Sequence, residues 1–459
     1  MKHSEKSMDE IIAFSKQKGF VYPSSELYDG FSGAYDYGPR GVELARAIKS
    51  VWWSQMVDQH REVYGLDSTI VSHPEVWVAS GHVGGFSDPL ADCRVCQQRI
   101  RVDKELEKVG VFADEKMSEE EINKLFDENR DNIACPNCGS KDFSHARAFN
   151  MLVESNLGDF TTNGSEPAYL RGETAQGIFI NFKNVVDSLH PKIPFGIAQI
   201  GKAFRNEISP RQFLFRTREF EQMEMQYFVK PGEDTEHYET WRQKRMDALL
   251  SMGLSEENMK WHQHENLVFY AKDAWDIEYN YPDYGYGELE GIHARGDYDL
   301  SQHAKHSGKD IVYNDNGEKF VPHVVETSIG VGRLFLALLS EAYDKEVTPE
   351  GDERTVLRFS PLIAPTQVAL MPLMKKDGLP EMAHEVFANL STTYRVSYDE
   401  SGSIGKRYRR ADEIGTPFCI TFDYESKEDA SVTVRHRDSM EQERIAIADL
   451  EQYLRDRIQ

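Results

Sequence analysis

The segment FRNEISPRQFLFRTREFEQMEMQYF, residues 204–228, sets four arginines and four glutamates among aromatics and methionines. Read as two strands joined by a loop, it alternates faces, so that side chains i and i+2 share one side of a sheet. Arg205 and Glu207 then fall together at the end of the first strand, and Phe220, Gln222 and Glu224 fall together on the second. The intervening ISPRQFLFRTRE is long enough to fold over a ligand. A guanidinium is planar, permanently charged and bidentate toward phosphate. Phe215 or Phe220 offers a face for a base, and Glu224 offers a carboxylate to an ammonium. Taken alone, the stretch is explained as well by an exposed hairpin with surface ion pairs, each worth about 0–1 kcal/mol.

Its surroundings are strand-rich. PFGIAQIGKAFRNE, REFEQMEMQYFV, LVFYAKD, WDIEYNYP and GELEGIHARGDYDL predict a large antiparallel sheet. VETSIGVGRLFLALL continues it as a strand carrying Glu326 and Ser328, a turn at Gly330 and Gly332, and a helix from about Val331. Arg333 then sits at a helix N-terminus, where an anion is favoured. YLRGETAQGIF contributes Arg171 and Glu173, and GELEGIHARGDYDL contributes Glu288, Glu290 and Arg295. Read alone, these two are a capping arrangement and a charged sheet edge. Upstream, GVELARAIKSVWWSQMV predicts a helix with Val42, Ala45, Ile48, Trp52 and Met56 near one face. Beyond the polar linker DKEVTPEGDERTV, strands and helices alternate as in a compact α/β domain. The expected fold class is therefore α+β. An antiparallel-sheet domain spans 1–92 and 143–345, a Cys-rich insertion spans 93–142, and an α/β domain spans 355–459.

Composition narrows the function. A net charge of -24 over 459 residues repels nucleic acid at long range and excludes a general coating role on DNA or RNA. A specific nucleic acid docked on a local basic patch remains compatible. No apolar run approaches the ~20 residues of a membrane span, and the N-terminal segment lacks a signal peptide's apolar core. A soluble cytoplasmic protein is expected. Cys93 and Cys96 form one CxxC pair and Cys135 and Cys138 another, with 38 residues from Gln97 to Ala134 between them. Such pairs suit a structural tetrahedral Zn²⁺ site, with reduced, metal-free thiols as the plain alternative. Between them SEEEINKLFDENRDN reads as a solvated helix, and Cys419 as a buried strand residue. In GKRYRRADEIG, Lys406, Arg407, Arg409 and Arg410 are candidates for RNA phosphates and Tyr408 for base stacking. A solvated helix face balanced by Asp412 and Glu413 is the alternative. His262, His264, His303 and His306 lack a carboxylate or cysteine in matching register and read as surface or core histidines.

Taken together and in this order, these elements resemble the catalytic core of the class II aminoacyl-tRNA synthetases, and within them the homodimeric glycyl branch. The resemblance covers nearly the whole chain. YDYGPRGVELARAIKSVWW is similar to the family's dimer-forming first motif, the 204–228 segment to the second, and ETSIGVGRLFLALL to the third. RGETAQGIF and FRTREFEQMEMQYF resemble stretches specific to the glycyl branch and its nearest relatives. The C-terminal domain resembles the anticodon-binding domain shared by the glycyl, histidyl, prolyl and threonyl enzymes.

The resemblance implies activation of glycine with ATP and Mg²⁺ and transfer to tRNA(Gly), by a homodimer with no DNA or membrane partner. Arg205 would bind the α-phosphate and Arg333 the γ-phosphate of a bent ATP, these two being the catalytic pair. Further ATP contacts are implied at Asn206, Glu207, Phe215, Arg216, Thr217, Arg218, Glu219, Phe220, Leu289, Gly330, Val331 and Gly332, with Glu288 helping to hold Mg²⁺. Which of Arg211, Arg216 and Arg218 meets ATP and which meets tRNA stays open. The implied glycine set is Arg99, Glu173, Glu224, Arg295, Glu326 and Ser328, with Phe220, Glu221, Gln222, Met223, Thr327, Ile329 and Gly330 beside them. Glu290 departs from the pattern, standing where many relatives carry a bulky residue. A non-catalytic relative, such as the accessory subunit of mitochondrial DNA polymerase, shares the fold but need not keep this arginine–glutamate set. A sister synthetase for a larger amino acid fits poorly with so many glutamates.

Overall fold

Residues 219–228 of the 204–228 segment lie on an inner strand of a seven-stranded sheet, antiparallel to the strand that ends at Phe204. The computed structural model describes residues 2–113, 117–156, 167–207, 212–264, 273–348 and 351–458. Its central strands are β1 (Val63–Gly65), β2 (Phe195–Phe204), β3 (Glu219–Val229), β4 (Met259–Gln263), β5 (Asp273–Tyr281), β6 (Gly285–Gly296) and β7 (His323–Gly330). They lie in the order β4-β5-β6-β7-β3-β2-β1. The β1–β2 edge is parallel and the other pairings are antiparallel. The expected strand LVFYAKD falls, apart from Asp273, outside the described residues, as does Arg211.

The helices used below are α1 (Met8–Gln17), α2 (Pro39–Trp53), α3 (Glu119–Asn129), α4 (Ala175–Leu189), α5 (Asp234–Ser251), α6 (Tyr298–Ser307), α7 (Val331–Ala342), α8 (Leu379–Leu390), α9 (Ile404–Glu413) and α10 (Leu450–Arg455). One sheet face, with Met223, Met225, Ile292, Val325 and Ile329, packs with apolar side chains of α2, α5 and α7 in the main core. Pro39 opens α2, where its missing N–H costs nothing. Of the expected stripe on α2 and the turn after it, Ala45, Ile48, Trp52 and Met56 are buried, but Val42 is 42% exposed. The other sheet face is covered at one end by α4 and α6, through Phe179, Phe182 and Leu300. Its opposite end is open, and the site lies there.

Two rungs of paired residues cross that open face. One runs Asp276, Gly291, Ser328, Glu224 and Gln199, and the next runs Ala274, His293, Glu326, Gln226 and Ile197. A β-bulge interrupts β6, where Glu290 pairs with Ile277 and Glu288 with Glu278, leaving Leu289 extra. Without it Glu288 and Glu290 would share a face. The bulge instead turns Glu288 to the open side and leaves Glu290 and Leu289 in the core. Glu290, the departure noted in the sequence, is fully buried against Arg245 of α5, with contacts of 2.5 and 3.3 Å.

The insertion has its own core around Ile100, Leu106, Ile122, Phe126 and Phe143. Its three strands, Ser87–Asp92, Arg99–Arg101 and Arg147–Asn150, extend beyond the expected limits of 93–142. As read from the sequence, α3 is largely solvated. A Ser118–Glu121 capping box starts it, and only Ile122 and Phe126 are buried. The expected linker is a hairpin, Tyr343–Val347 with Glu353–Leu357. Arg354 of that hairpin reaches Asp412 of α9 at 3.0 Å, both side chains 1% exposed. The C-terminal sheet comprises β8 (Val368–Pro372), β9 (Val396–Tyr398), β10 (Phe418–Phe422), β11 (Ser431–His436) and β12 (Gln442–Ala446) in the order β9-β8-β10-β11-β12. Strands and helices alternate through most of this domain, as the sequence reading expected. Cys419 is buried in β10, and burial pushes its thiol up to about 12. Among the described residues, no helix is long and apolar enough to cross a membrane.

Glu290→Ala strands the Arg245 guanidinium in the core, and urea unfolding is expected to show a loss of about 3–5 kcal/mol. The double variant Arg245→Met/Glu290→Leu should recover most of it, because apolar packing replaces both desolvated charges.

Candidate active site

The open end of the sheet holds a cleft with a free volume of about 650 Å³. Its walls carry Arg205, Glu207, Phe215, Arg216, Thr217, Phe220, Gln222, Glu288, Ser328, Gly330, Gly332 and Arg333. Arg205 lies just past β2, its Nε donating to the Gly172 carbonyl at 3.1 Å and its guanidinium lying between the rings of Phe86 and Phe220. Those contacts orient it and leave its remaining N–H groups for an anion. Arg333, in the first turn of α7, donates to the carbonyls of Phe215 and Glu288 and stacks on the Phe215 ring at 4.6 Å. Its ion pair with Glu288 measures 3.0 Å. Gly332 is needed for close approach, since a Cβ there would come within 3.1 Å of the Leu214 carbonyl oxygen. Neither Gly330 nor Gly332 uses positive φ.

Two residues further along the same strands lies a buried cluster of carboxylates. Glu224 accepts hydrogen bonds from Thr174 Oγ1 and from Gln226 Nε2. Gln226 Nε2 also donates to Glu326 at 2.6 Å, and Arg295 donates to Glu326 at 2.8 Å and, in a fork, to Asp299. Glu173, at the start of α4, meets His82 at 3.3 Å and Gln176 at 2.9 Å. Burial alone would raise all three glutamates. His82 and Arg295, with the Gln176 hydrogen bond, nevertheless hold Glu173 well below the usual carboxylate range. Arg295 and His293 bring Glu326 down to about 2. Glu224 goes the other way: burial, then the charges of Glu326 and Glu173, push it well above its ordinary value. Glu224 is thus pushed toward its neutral form between two groups held as carboxylates, an arrangement poised to receive a small cation. Sequence reading missed Thr174, Gln226, His82, His293 and Asp299. Alternation from Glu224 to Gln226 and the i,i+4 spacing of Arg295 and Asp299 were the available signals.

Several expected contacts lie elsewhere. Glu221 and Met223 point to the opposite sheet face, Glu221 paired with Lys49 of α2 at 3.0 Å and Met223 in the core. Thr327 and Ile329 are buried and absent from the cleft wall because they sit out of phase with Glu326, Ser328 and Gly330; Leu289 is left in the core by the β6 bulge, and Val331 is buried as the first residue of α7. Arg99 is held in the insertion by Asp92 at 2.7 Å and does not line the cleft. Arg218 donates to the carbonyls of Ser32 and Glu207 outside the cleft, and Glu219 pairs with Lys202. Asn206 is tied by its backbone N–H to the Met151 carbonyl.

The four CxxC thiols converge. Cys93 and Cys138 sulfurs are 3.6 Å apart, Cys96 and Cys135 sulfurs 3.5 Å, and all four lie within 4.8 Å of one another. Thiolates bonded at about 2.3 Å around a tetrahedral Zn²⁺ stand nearly this far apart, so the residues fit the metal. On α9 the basic residues divide. Arg407 is buried and donates to the Pro372 carbonyl at 2.7 Å, and Tyr408 bonds Thr421 beneath Arg435. Both anchor the helix to its sheet. Arg410 pairs with Asp399 at 2.6 Å, Arg409 lies 3.6 Å from Asp352, and Lys406 is exposed.

Glu224→Gln replaces a protonated carboxyl with its isostere. Unfolded, Glu224 ionises near 4.5, and folding shifts its ionisation well above that, so over the interval the folded state binds more protons and loses stability as pH rises. The variant's thermal midpoint is expected to match the parent below pH 4.5 and to gain on it progressively above. A constant difference across pH would contradict the protonated state.

Residues 159–342 match the family model of the tRNA synthetase class II core domain (G, H, P, S and T), and residues 367–457 that of the anticodon binding domain. The glycine--tRNA ligase of Alkaliphilus oremlandii is 49% identical, covering 99% of each chain, and that of Clostridium perfringens is 50% identical over 97% of each. Among solved structures, the prolyl-tRNA synthetase of Cryptosporidium parvum superposes with a TM-score of 0.63 at 16% identity, over 100% of this chain and 76% of that one. The enzyme from Giardia lamblia gives 0.64 at 15%, over 98% and 79%. These two likenesses bear on the fold. With half of its residues identical over almost its full length, and with both family domains present, the chain belongs to the glycine--tRNA ligase family of class II aminoacyl-tRNA synthetases.

Proposed function

We propose that the cleft and the carboxylate cluster carry out the family's reaction as one continuous site. Arg205 and Arg333 hold the ATP phosphates, and Phe220 or Phe215 supports the adenine. The cluster of Glu173, Glu224 and Glu326 receives the glycine ammonium. The glycine carboxylate attacks the α-phosphorus, pyrophosphate leaves, and the negative charge developing on the phosphorus is stabilised by the arginines rather than by a dedicated base. Glycine then passes from the adenylate to a terminal ribose hydroxyl of tRNA(Gly). The observation that carries this reading is the adjacency of the two groups: Gln222 and Ser328 on the cleft wall each stand two residues from a cluster glutamate, Glu224 and Glu326, on the same strand and face.

Selection of glycine follows from crowding. Thr174 N–H donates to Gln222 Oε1 at 3.2 Å, and Gln222 Nε2 to Ser328 Oγ at 3.4 Å. These tied side chains leave little freedom beside the cluster, and a pocket that excludes one methyl gains about 1–3 kcal/mol. Binding of the ammonium drives the proton from Glu224, so glycine uptake releases a proton.

Glu288, half-exposed beside Arg333, suits Mg²⁺, which keeps several waters and binds through one or two carboxylates plus substrate phosphates. The ion would neutralise charge on the departing pyrophosphate. Zn²⁺ in the four-cysteine site is structural, since four thiolates leave no open position. A homodimer is supported by exposed apolar residues near the first motif, Leu27, Tyr28, Phe31 and Val42. Contact with tRNA through α9 rests on Lys406 and on Arg409 and Arg410 exchanging their acidic partners for phosphate. A cytoplasmic location accords with this chemistry.

ATP–pyrophosphate exchange measured with each amino acid in turn is expected to respond to glycine alone; silence with all of them favours the non-catalytic reading. Glu173→Ala should lower glycine-dependent exchange by about 100-fold or more, and a value within a few-fold of the parent would remove Glu173 from the site. Metal analysis should return at least one zinc per chain, and Cys93→Ala should lose one.

A further inference from the structure

We propose that His264, Asp276 and His293 form a second metal site, for a divalent transition-metal ion that accepts imidazole and carboxylate ligands, such as Zn²⁺, Co²⁺ or Ni²⁺. One ligand atom from each lies within 4.8 Å of the other two. His264 Nε2 is 2.8 Å from Asp276 Oδ2, and His293 Nε2 is 3.8 Å from Asp276 Oδ1. The second distance is too long for a hydrogen bond. Ligands bonded at about 2.0–2.2 Å around a tetrahedral ion stand about 3.3–3.5 Å apart, so a small adjustment closes the set.

Three further features belong to a built site. Gly291 lies opposite Asp276 on the neighbouring strand, and a Cβ there would come within 3.0 Å of His293 Nε2 and 3.5 Å of Asp276 Oδ1. The absent side chain is what lets the imidazole and the carboxylate face each other. His264 is brought in by its backbone N–H, which donates to the Ala274 carbonyl at 3.0 Å. Finally, His293 Nδ1 lies 3.0 Å from Glu326 Oε1. A carboxylate at that nitrogen fixes the ring and leaves Nε2 for the metal, the usual support of a metal-bound histidine. The His264 side chain is 37% exposed and Asp276 7%, so solvent reaches the ligands from one side and a fourth position is open.

The ion would share His293 with the amino-acid pocket, because Glu326 supports His293 and also belongs to the carboxylate cluster. Coupling to glycine rests on the function proposed above; the binding of metal does not. The site is separate from the four cysteines, which lie in the insertion.

The test uses tag-free, full-length protein with its cysteine site already loaded with zinc. Calorimetric titration with Ni²⁺, and Co²⁺ absorption in the visible, are expected to show one further ion per chain. His264→Asn and Asp276→Asn, each folded by circular dichroism, should each weaken that ion at least tenfold. No further ion, or one that both variants bind as well as the parent, would overturn the site and leave two imidazole–carboxylate ion pairs only. Glycine KM in pyrophosphate exchange should shift with Ni²⁺ in the parent and not in His264→Asn. Binding without that shift would overturn the coupling alone. Absence of glycine activation altogether would instead count against the proposed function, with the calorimetry still deciding the metal site.

Discussion

Three glutamates crowded together, Glu224 and Glu326 buried on one sheet face and Glu173 partly buried beside them at the start of α4, are the constraint around which this end of the cleft is arranged. Glu173, Glu224 and Glu326 come from separate elements, and burial disfavours charge on every one of them. The fold meets the cost by distribution. Arg295 and His293 hold Glu326 ionised, His82 and Arg295 hold Glu173 ionised, and Glu224 takes up a proton. Arg295 serves two of the three and is itself clamped by Asp299 in a bidentate pair. A cation entering the pocket meets a field already set, and only one proton has to move.

The arginine end of the cleft is organised differently. Arg205 and Arg333 are aimed largely by backbone carbonyls and aromatic faces. A carbonyl orients a guanidinium without neutralising it, so each retains its charge for an anion. Arg333 alone has a carboxylate beside it, Glu288, and that contact exists because of the β6 bulge. The same bulge leaves Glu290 to a wholly buried pair with Arg245. One inserted residue thus separates two glutamates two positions apart into a site group and a structural group.

Much of this was legible in the order of residues. Period-two alternation predicted the shared face of Phe220, Gln222 and Glu224, and ETSIGVGRLFLALL predicted a strand and a helix from Val331, although the strand passes straight into the helix with no separate glycine turn. The paired CxxC motifs predicted a four-cysteine cluster. Other parts were not legible. Runs of consecutive candidates such as Glu221–Glu224 and Thr327–Ile329 could not all face one ligand, since strand geometry sends every second one to the core. Arg407 and Tyr408 read as nucleic-acid contacts because a basic helix looks alike whether its arginines meet phosphates or carbonyls. The linker reads as polar along the chain, but Arg354 in it is buried against Asp412 of another element.

By itself, the sequence determined the local periodicities, the helix and turn boundaries, the cysteine pairing and the set of charged residues available to a site, because these depend on neighbours a few positions apart. The tertiary structure decided which charges line the cleft and which are tied into the core. Register across β5, β6, β7 and β3 brings Asp276, His293, Glu326 and Glu224 onto two adjoining rungs, though they span more than a hundred positions of the chain. Burial and pairing then set which carboxylates keep their protons. Both are properties of distance and solvent in three dimensions, and no spacing along the chain encodes them.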